Sequence, residues 1–234
     1  MKGQEWYQAD SVAEEYEEKR FSRGGRLVDH REKQAVLEAL APLEGTSVLE
    51  IAAGTGRFAV ALAERGVDVT ALDISAPMLR QGGAKASAAG VSDRLELLRG
   101  DAARLPFPDN HFDTVFAMRF FHLADTPTKF LSEMARVSRE QVFFDTFNAT
   151  SLRSLYNWAL PMGSRLYSRD RVDRLLTDTG LSLAGVNHDF VLPYGFYRKV
   201  PDTIAARARA WDETIVGSSA GRHLATVSFW DARV

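Results

Sequence analysis

Glycines at 54 and 56, acids at 50 and 73 and a histidine at 122 are the residues whose types and spacing suggest chemistry. The run Val48-Leu-Glu-Ile-Ala-Ala-Gly-Thr-Gly-Arg-Phe-Ala59 carries an apolar strand into a turn and then into a helix. Glycines in such a turn allow positive φ and let the backbone approach a ligand closely, although a plain tight turn uses them too. Gly54-x-Gly56-x-x-Ala59 formally satisfies the dinucleotide spacing, and Asp73 ends the next apolar run, where an acid can take both hydroxyls of a ribose. Glu50 separates two ligand classes. A carboxylate just before the loop would repel a pyrophosphate seated on the helix N-terminus, by about 4 kcal/mol at ~4 Å and an effective dielectric of about 20. It would attract a cation. Charge therefore favours S-adenosylmethionine, which carries an ammonium and a sulfonium and no phosphate, over NAD.

A second cluster follows in Arg119-Phe-Phe-His-Leu-Ala124. His122 is the candidate general base, since an ordinary imidazole titrates near neutrality, with a structural histidine as the alternative. Arg119 is the one charge at an apolar strand end and could meet an acidic group on a substrate.

These residues need a scaffold that brings strand ends together. Ser47–Ile51, Val67–Leu72, Leu95–Leu98, Phe112–Met118 and Gln141–Phe147 read as strands, separated by helices such as Arg57–Glu64 and one opening at Thr126-Pro127. Ser75 is placed to cap the helix after Asp73, with Pro77 in its first turn. Strands alternating with short helices mean crossover units, hence an α/β, doubly wound, mostly parallel sheet with helices on both faces. Trp6–Phe21 reads as a helix, and Asp29 with Glu32 as a capping-box start for a further helix ending near Pro42. Residues 1–42 are thus expected to form a helical cap, and residues 150–167 a helical insertion over the carboxyl edge of the sheet, where open α/β folds bind ligands.

Composition prunes the alternatives. The 234 residues carry 29 Lys plus Arg against 31 Asp plus Glu, a balance with no footprint for nucleic acid or an anionic membrane. Cysteine is absent, which excludes disulfides, thiolate metal sites and cysteine nucleophiles, and no metal is expected. The longest apolar run is six residues, Phe58 to Ala63, too short to span a bilayer. Met1 to Arg20 has no apolar signal core, so the expected setting is cytoplasmic.

Four segments resemble those of class I S-adenosylmethionine-dependent methyltransferases, of the small-molecule group that includes the ubiquinone/menaquinone-biosynthesis enzymes. They are Leu49–Gly56, Ala71–Leu79, Gly100–Asp109 and Phe112–Ala117, together covering residues ~45–145 in the family's order. The resemblance implies a Rossmann-like sheet of seven strands whose last, His223–Ala232, is antiparallel, preceded by a helix Ser168–Gly180, a strand near Leu181–Val191 and a helix Pro201–Trp211. It implies a single methyltransferase domain over 1–234. It also implies site roles. Glu50 faces the methionine part, Ala52, Ala53, Gly54 and Gly56 line it with backbone, and Asp73 grips the ribose. Ile74 and Met78 sandwich the adenine, Asp101 accepts its amino group, Ala102 offers a backbone N–H, and Met118 closes the pocket. Tyr16 folds over the methyl group and Arg20 meets the cofactor carboxylate. The family commonly has glycine where this chain has Ala52.

The acceptor is narrowed by exclusion. Without cysteine the covalent route to cytosine C5 is closed, and no Asn/Asp-Pro-Pro-Tyr/Phe run follows the fourth strand. Residues 150–210 hold nine Lys/Arg against five Asp, an unclustered excess unlike an RNA-binding stripe. The expected activity is methyl transfer to an O, N or C nucleophile of a small, partly apolar metabolite. The alternatives are an NAD-dependent oxidoreductase using the same loop, and an accessory protein that binds the cofactor without transfer.

Overall fold

The computed structural model describes residues 20–21, 23–157 and 163–234. A parallel sheet forms its centre, with the strands in spatial order β3-β2-β1-β4-β5-β8-β7. These are β1 Ser47–Ile51, β2 Asp68–Asp73, β3 Leu95–Arg99, β4 Phe112–Ala117, β5 Ser138–Asn148, β7 Ser182–Asp189 and β8 Val227–Arg233. Only β8 runs against its neighbours, pairing antiparallel with both β5 and β7. A short β6, Leu166–Tyr167, lies beside the end of β5.

Alternation along the strands explains why both faces are covered. Val48 belongs to one buried cluster while Leu49 and Ile51 belong to the other, and on β5 Phe143 and Phe147 oppose Val142 and Phe144. Strands with two apolar faces must be sandwiched between helices. One layer is built from α1 Gly25–Ala39, α2 Arg57–Ala63 and α3 Ala76–Ala89; α4 Pro127–Val137 and α5 Arg169–Asp178 pack the other. The Ser75 hydroxyl accepts the Met78 N–H at the start of α3, with proline in the first turn, as the sequence indicates. Full burial of side chains such as Val36 and Leu131 contributes about 1.5–3 kcal/mol each, before the cost of chain entropy.

Several boundaries differ from the sequence reading. The helix α1 starts at Gly25, so Asp29 and Glu32 stand inside it and cap nothing; their carboxylates bind arginines instead. His223 lies in a short helix, α8 Ser219–Leu224, which follows α7 Asp202–Val216, and the last strand begins only at Val227. The aromatic run 192–198 supplies most of a further helix, α6 Tyr194–Lys199. Within 150–167, Leu152–Leu155 makes one 3-10 turn and the segment ends as strand β6 rather than helix. Tyr16 and most of the expected Trp6–Phe21 helix lie outside the described residues, as do Trp158 to Met162.

Candidate active site

Strand order reverses between β1 and β4, and the loops leaving their carboxyl ends diverge to open a crevice. A cavity of about 730 Å³ occupies it, within the size range of small-molecule sites. One end is walled by Glu50, Ala52–Thr55, Asp73, Ile74 and Met78, the other by His122, Asn157 and Ser164, and Phe120 adjoins Ile74.

The glycine turn is shaped by backbone conformation. Ala52, Gly54 and Gly56 all adopt positive φ, at 55°, 56° and 67°. Gly56 then opens α2, and a Cβ built on it would sit 3.5 Å from the Gly82 Cα of α3. Gly56 thus turns the chain behind the cavity and is not on its wall. At Ala52 the left-handed conformation explains why glycine suits this place: an L side chain there costs roughly 1–2 kcal/mol.

The two acids organise the loop. Asp73 accepts the Gly54 N–H with Oδ2 at 2.7 Å and the Ser75 N–H with Oδ1 at 2.8 Å, which fixes its carboxylate at the cavity wall; burial pushes its pKa up. Carboxylate oxygens have lone pairs to spare, so a ribose hydroxyl can still be accepted. Glu50 is buried, and burial raises its pKa to about 8. Its carboxyl is therefore mostly neutral at pH 7, which corrects the premise of a standing negative charge. The exclusion of pyrophosphate holds for another reason. Glu50 Oε2 accepts the Ala59 N–H at 2.8 Å, taking a donor that a phosphate on the α2 N-terminus would need.

Asp101 lines the cavity from an exposed turn in which its Oδ1 accepts the Ala103 N–H at 2.8 Å. Ala102 is not on the main wall but opens on an adjoining hollow of about 50 Å³ with Ile74, Phe120 and Phe130. Met118 and Arg20 line the main cavity.

Arg119 is less available than its sequence position suggests. It sits at φ 61°, its backbone N–H donates to Asp145, and its guanidinium pairs with Glu32 of α1 at 3.4 Å. The same group lies 4.4 Å from the Phe147 ring centroid and 4.5 Å from that of Tyr194. Glu32 also binds Arg57, at the start of α2, at 2.5 Å. One buried carboxylate thus ties α1 to the glycine loop and to the end of β4. Burial raises Asp145 to about 6, and the nearby Arg119 restrains that rise.

His122 is half-buried and packs edge-on against Phe147 at 5.1 Å between ring centroids. Burial first, and then the charges of Arg119, Arg20, Arg153 and Arg198, hold its pKa well below the ordinary imidazole value. The ring is neutral at pH 7 and a weak base, contrary to the expectation from an unperturbed histidine. Asn157, Ser164 and Arg165 were not singled out in the sequence, because a polar residue in an irregular connection carries no periodic signal; only the fold brings them to the cavity.

The reversed last strand, the glycine turn after β1 and the acid ending β2 define the class: a class I S-adenosylmethionine-dependent methyltransferase domain. Residues 48–141 match the methyltransferase domain family. The chain is 32% identical over 173 residues to a ubiquinone/menaquinone biosynthesis C-methyltransferase of Roseobacter denitrificans, an alignment covering 73% of this chain and 66% of that enzyme. It is 37% identical over 109 residues to a demethylmenaquinone methyltransferase of Renibacterium salmoninarum, covering 47% and 44%. The chain therefore spans between under half and about two thirds of the length of these relatives. In fold it resembles a crystal structure from Thermotoga maritima described as a SAM-dependent methyltransferase, possible histamine N-methyltransferase, with TM-score 0.66, 18% identity and coverage of 97% and 99%. Among the described residues no helix is long and apolar enough to cross a membrane.

Proposed function

We propose that the protein transfers the methyl group of S-adenosylmethionine to a small, partly apolar acceptor. The observation that carries this reading is the continuity of the cavity from the Asp73 carboxylate, past Glu50 and Met118, to His122. Asp73 would hold the ribose, Glu50 the cationic methionine end, and Ile74 and Met78 the adenine faces, with Asp101 and Ala102 at its edge. Tyr16 and Arg20 remain part of the proposal as the cover on the methionine side. The bound cofactor supplies an electrophilic methyl, so the chain's own task is to align a nucleophile with it and exclude water.

Phe120 and Phe130, in edge-to-face contact at 4.9 Å between centroids, give the cavity an apolar wall. A flat ring fits such a wall, and the ubiquinone/menaquinone relatives favour an aromatic acceptor. His122, neutral and weakly basic, suits a hydrogen bond that orients the acceptor better than removal of its proton.

Thermal shifts with S-adenosylmethionine, S-adenosylhomocysteine and NADH test the reading, because a ligand of the native state raises its stability. Stabilisation by the first two is expected, and by NADH alone would overturn it. Methyl-labelled cofactor with a panel of aromatic acceptors then separates transfer from binding without transfer.

A further inference from the structure

Arg153 stands in the 3-10 turn that follows β5, and it has no carboxylate partner among the described residues. Its Nη2 donates to Ser164 Oγ at 2.7 Å, its Nε is shielded from solvent with no well-aligned acceptor, and the Tyr156 hydroxyl lies beside the group. Its guanidinium lies 4.0 Å from the Phe147 ring centroid, and that of Arg119 lies 4.4 Å from the same centroid. Two guanidinium groups therefore flank one ring beside His122, and the charges His122 feels most strongly are all arginines. Burial and Arg119 lower the Arg153 pKa, the response of a cation placed near another with too little countercharge. Arg119 has Glu32 to answer it; Arg153 has nothing equivalent.

Ser164 connects this charge to the cavity. Its Oγ accepts from Arg153 and so retains a proton, which has no acceptor among the described residues, and Ser164 is on the cavity wall. Asn157 holds it there by two bonds, Nδ2 donating to the Ser164 carbonyl at 2.8 Å and Oδ1 accepting the Ser164 N–H at 3.1 Å. The second Nδ2 hydrogen of Asn157 remains for a ligand. The acceptor end thus offers hydrogen-bond donors in a positive field.

We infer that the acceptor is an aromatic acid whose carboxylate is bound by Ser164 in the field of Arg153 and Arg119. This rests on the methyltransferase reading for the word acceptor, but the anion site itself does not. A carboxylate fits better than a phenol because it is ionised at neutral pH and so presents a standing anion to Ser164 and the two arginines.

The test uses 2-naphthoate and its neutral analogue 2-naphthamide, titrated at neutral pH into the protein with and without saturating S-adenosylhomocysteine. The acid should bind at least about tenfold more tightly than the amide, the scale of one well-made charged contact. Arg153→Gln should bring the two within about twofold, and Arg153→Lys should restore most of the preference. Ser164→Ala, a milder change, should weaken the acid alone, which keeps the test available if Arg153→Gln does not fold. Equal binding of the two probes, binding of neither, or a preference that survives Arg153→Gln overturns the inference. If S-adenosylhomocysteine binds and the preference is absent, only the anion site falls. If the preference is present and S-adenosylhomocysteine does not bind, the methyltransferase reading falls and the anion site stands.

Discussion

The Glu50 side chain closes on the first turn of its own following helix: Oε2 accepts the Ala59 N–H at 2.8 Å, across the glycine turn that separates them. The acid thereby occupies an anion position at a helix N-terminus from inside the protein, and still presents itself to the cavity. A cation bound there would meet a carboxyl already oriented.

The first prediction concerns protons. Burial raises Glu50 to about 8, and a cationic group beside it would favour ionisation. Binding of S-adenosylhomocysteine, whose ammonium remains, should therefore release a proton near pH 7, seen as a dependence of calorimetric heat on buffer ionisation enthalpy. Glu50→Gln should abolish that release and weaken binding. The same group sets a stability trend. Its folded pKa lies above the unfolded value, so its contribution is fully present below the unfolded pKa near 4.3 and is lost as pH rises toward 8, with a limiting slope of about 1.4 kcal/mol per pH unit. Chemical denaturation of Glu50→Gln across this window should show a flatter profile.

Ala52 gives the second. At φ 55° its Cβ is strained, by roughly 1–2 kcal/mol, whereas glycine loses about 0.4–1 kcal/mol through the freedom of the unfolded chain. Ala52→Gly should therefore leave the protein equally stable or up to about 1.6 kcal/mol more stable. A clear fall in Tm would contradict the strain. Ala53, which has no positive φ and donates its N–H to Leu72 O at 3.1 Å, is the control: Ala53→Gly should destabilise.

The difference between these neighbours marks what the sequence reveals. The short apolar run of β1 and the glycine spacing indicate a strand, a turn and a helix, because local backbone and side-chain preferences decide them. The departure from glycine at 52 is visible as a departure, while its φ follows only from the loop's path. Asp29 and Glu32 show the opposite case. Their spacing matches a capping box, but tertiary pairing outweighs it: the helix begins one turn earlier, and both acids turn to Arg57. Nothing local distinguishes an acid that caps a helix from one that answers a distant arginine. For the same reason Ser164 and Asn157, brought to the cavity by chain crossing, left no trace in the sequence pattern.

Asp73 supplies the third prediction. A ligand at about 100 times its Kd stabilises the native state by about 2.7 kcal/mol. Asp73→Ala should remove this stabilisation for S-adenosylmethionine by deleting the ribose acceptor. It also leaves the Gly54 and Ser75 N–H groups without their present partner, so some loss of intrinsic stability is expected as well. The decisive readout is the ligand-induced shift measured from the variant's own baseline; a full-sized shift would refute the ribose assignment.

The last prediction tests Glu32 as a positioning residue. It is 2% exposed and carries one oxygen toward Arg57 and the other toward Arg119. Replacing it by alanine leaves Arg119 without its carboxylate and Arg57 with Asp29 alone, and breaking a largely buried pair in this way costs up to about 3–5 kcal/mol. Loss of stability alone would fit any buried ion pair. The specific expectation is on the site: Arg57 opens α2 directly after the glycine turn, so a loosened Arg57 frees the loop that holds the cofactor. Glu32→Gln keeps the shape and one hydrogen bond, and should retain most of the fold while weakening S-adenosylhomocysteine binding several-fold, about 1 kcal/mol. Calorimetric titration of Glu32→Gln decides it: unchanged affinity in a destabilised but folded variant would confine Glu32 to stability.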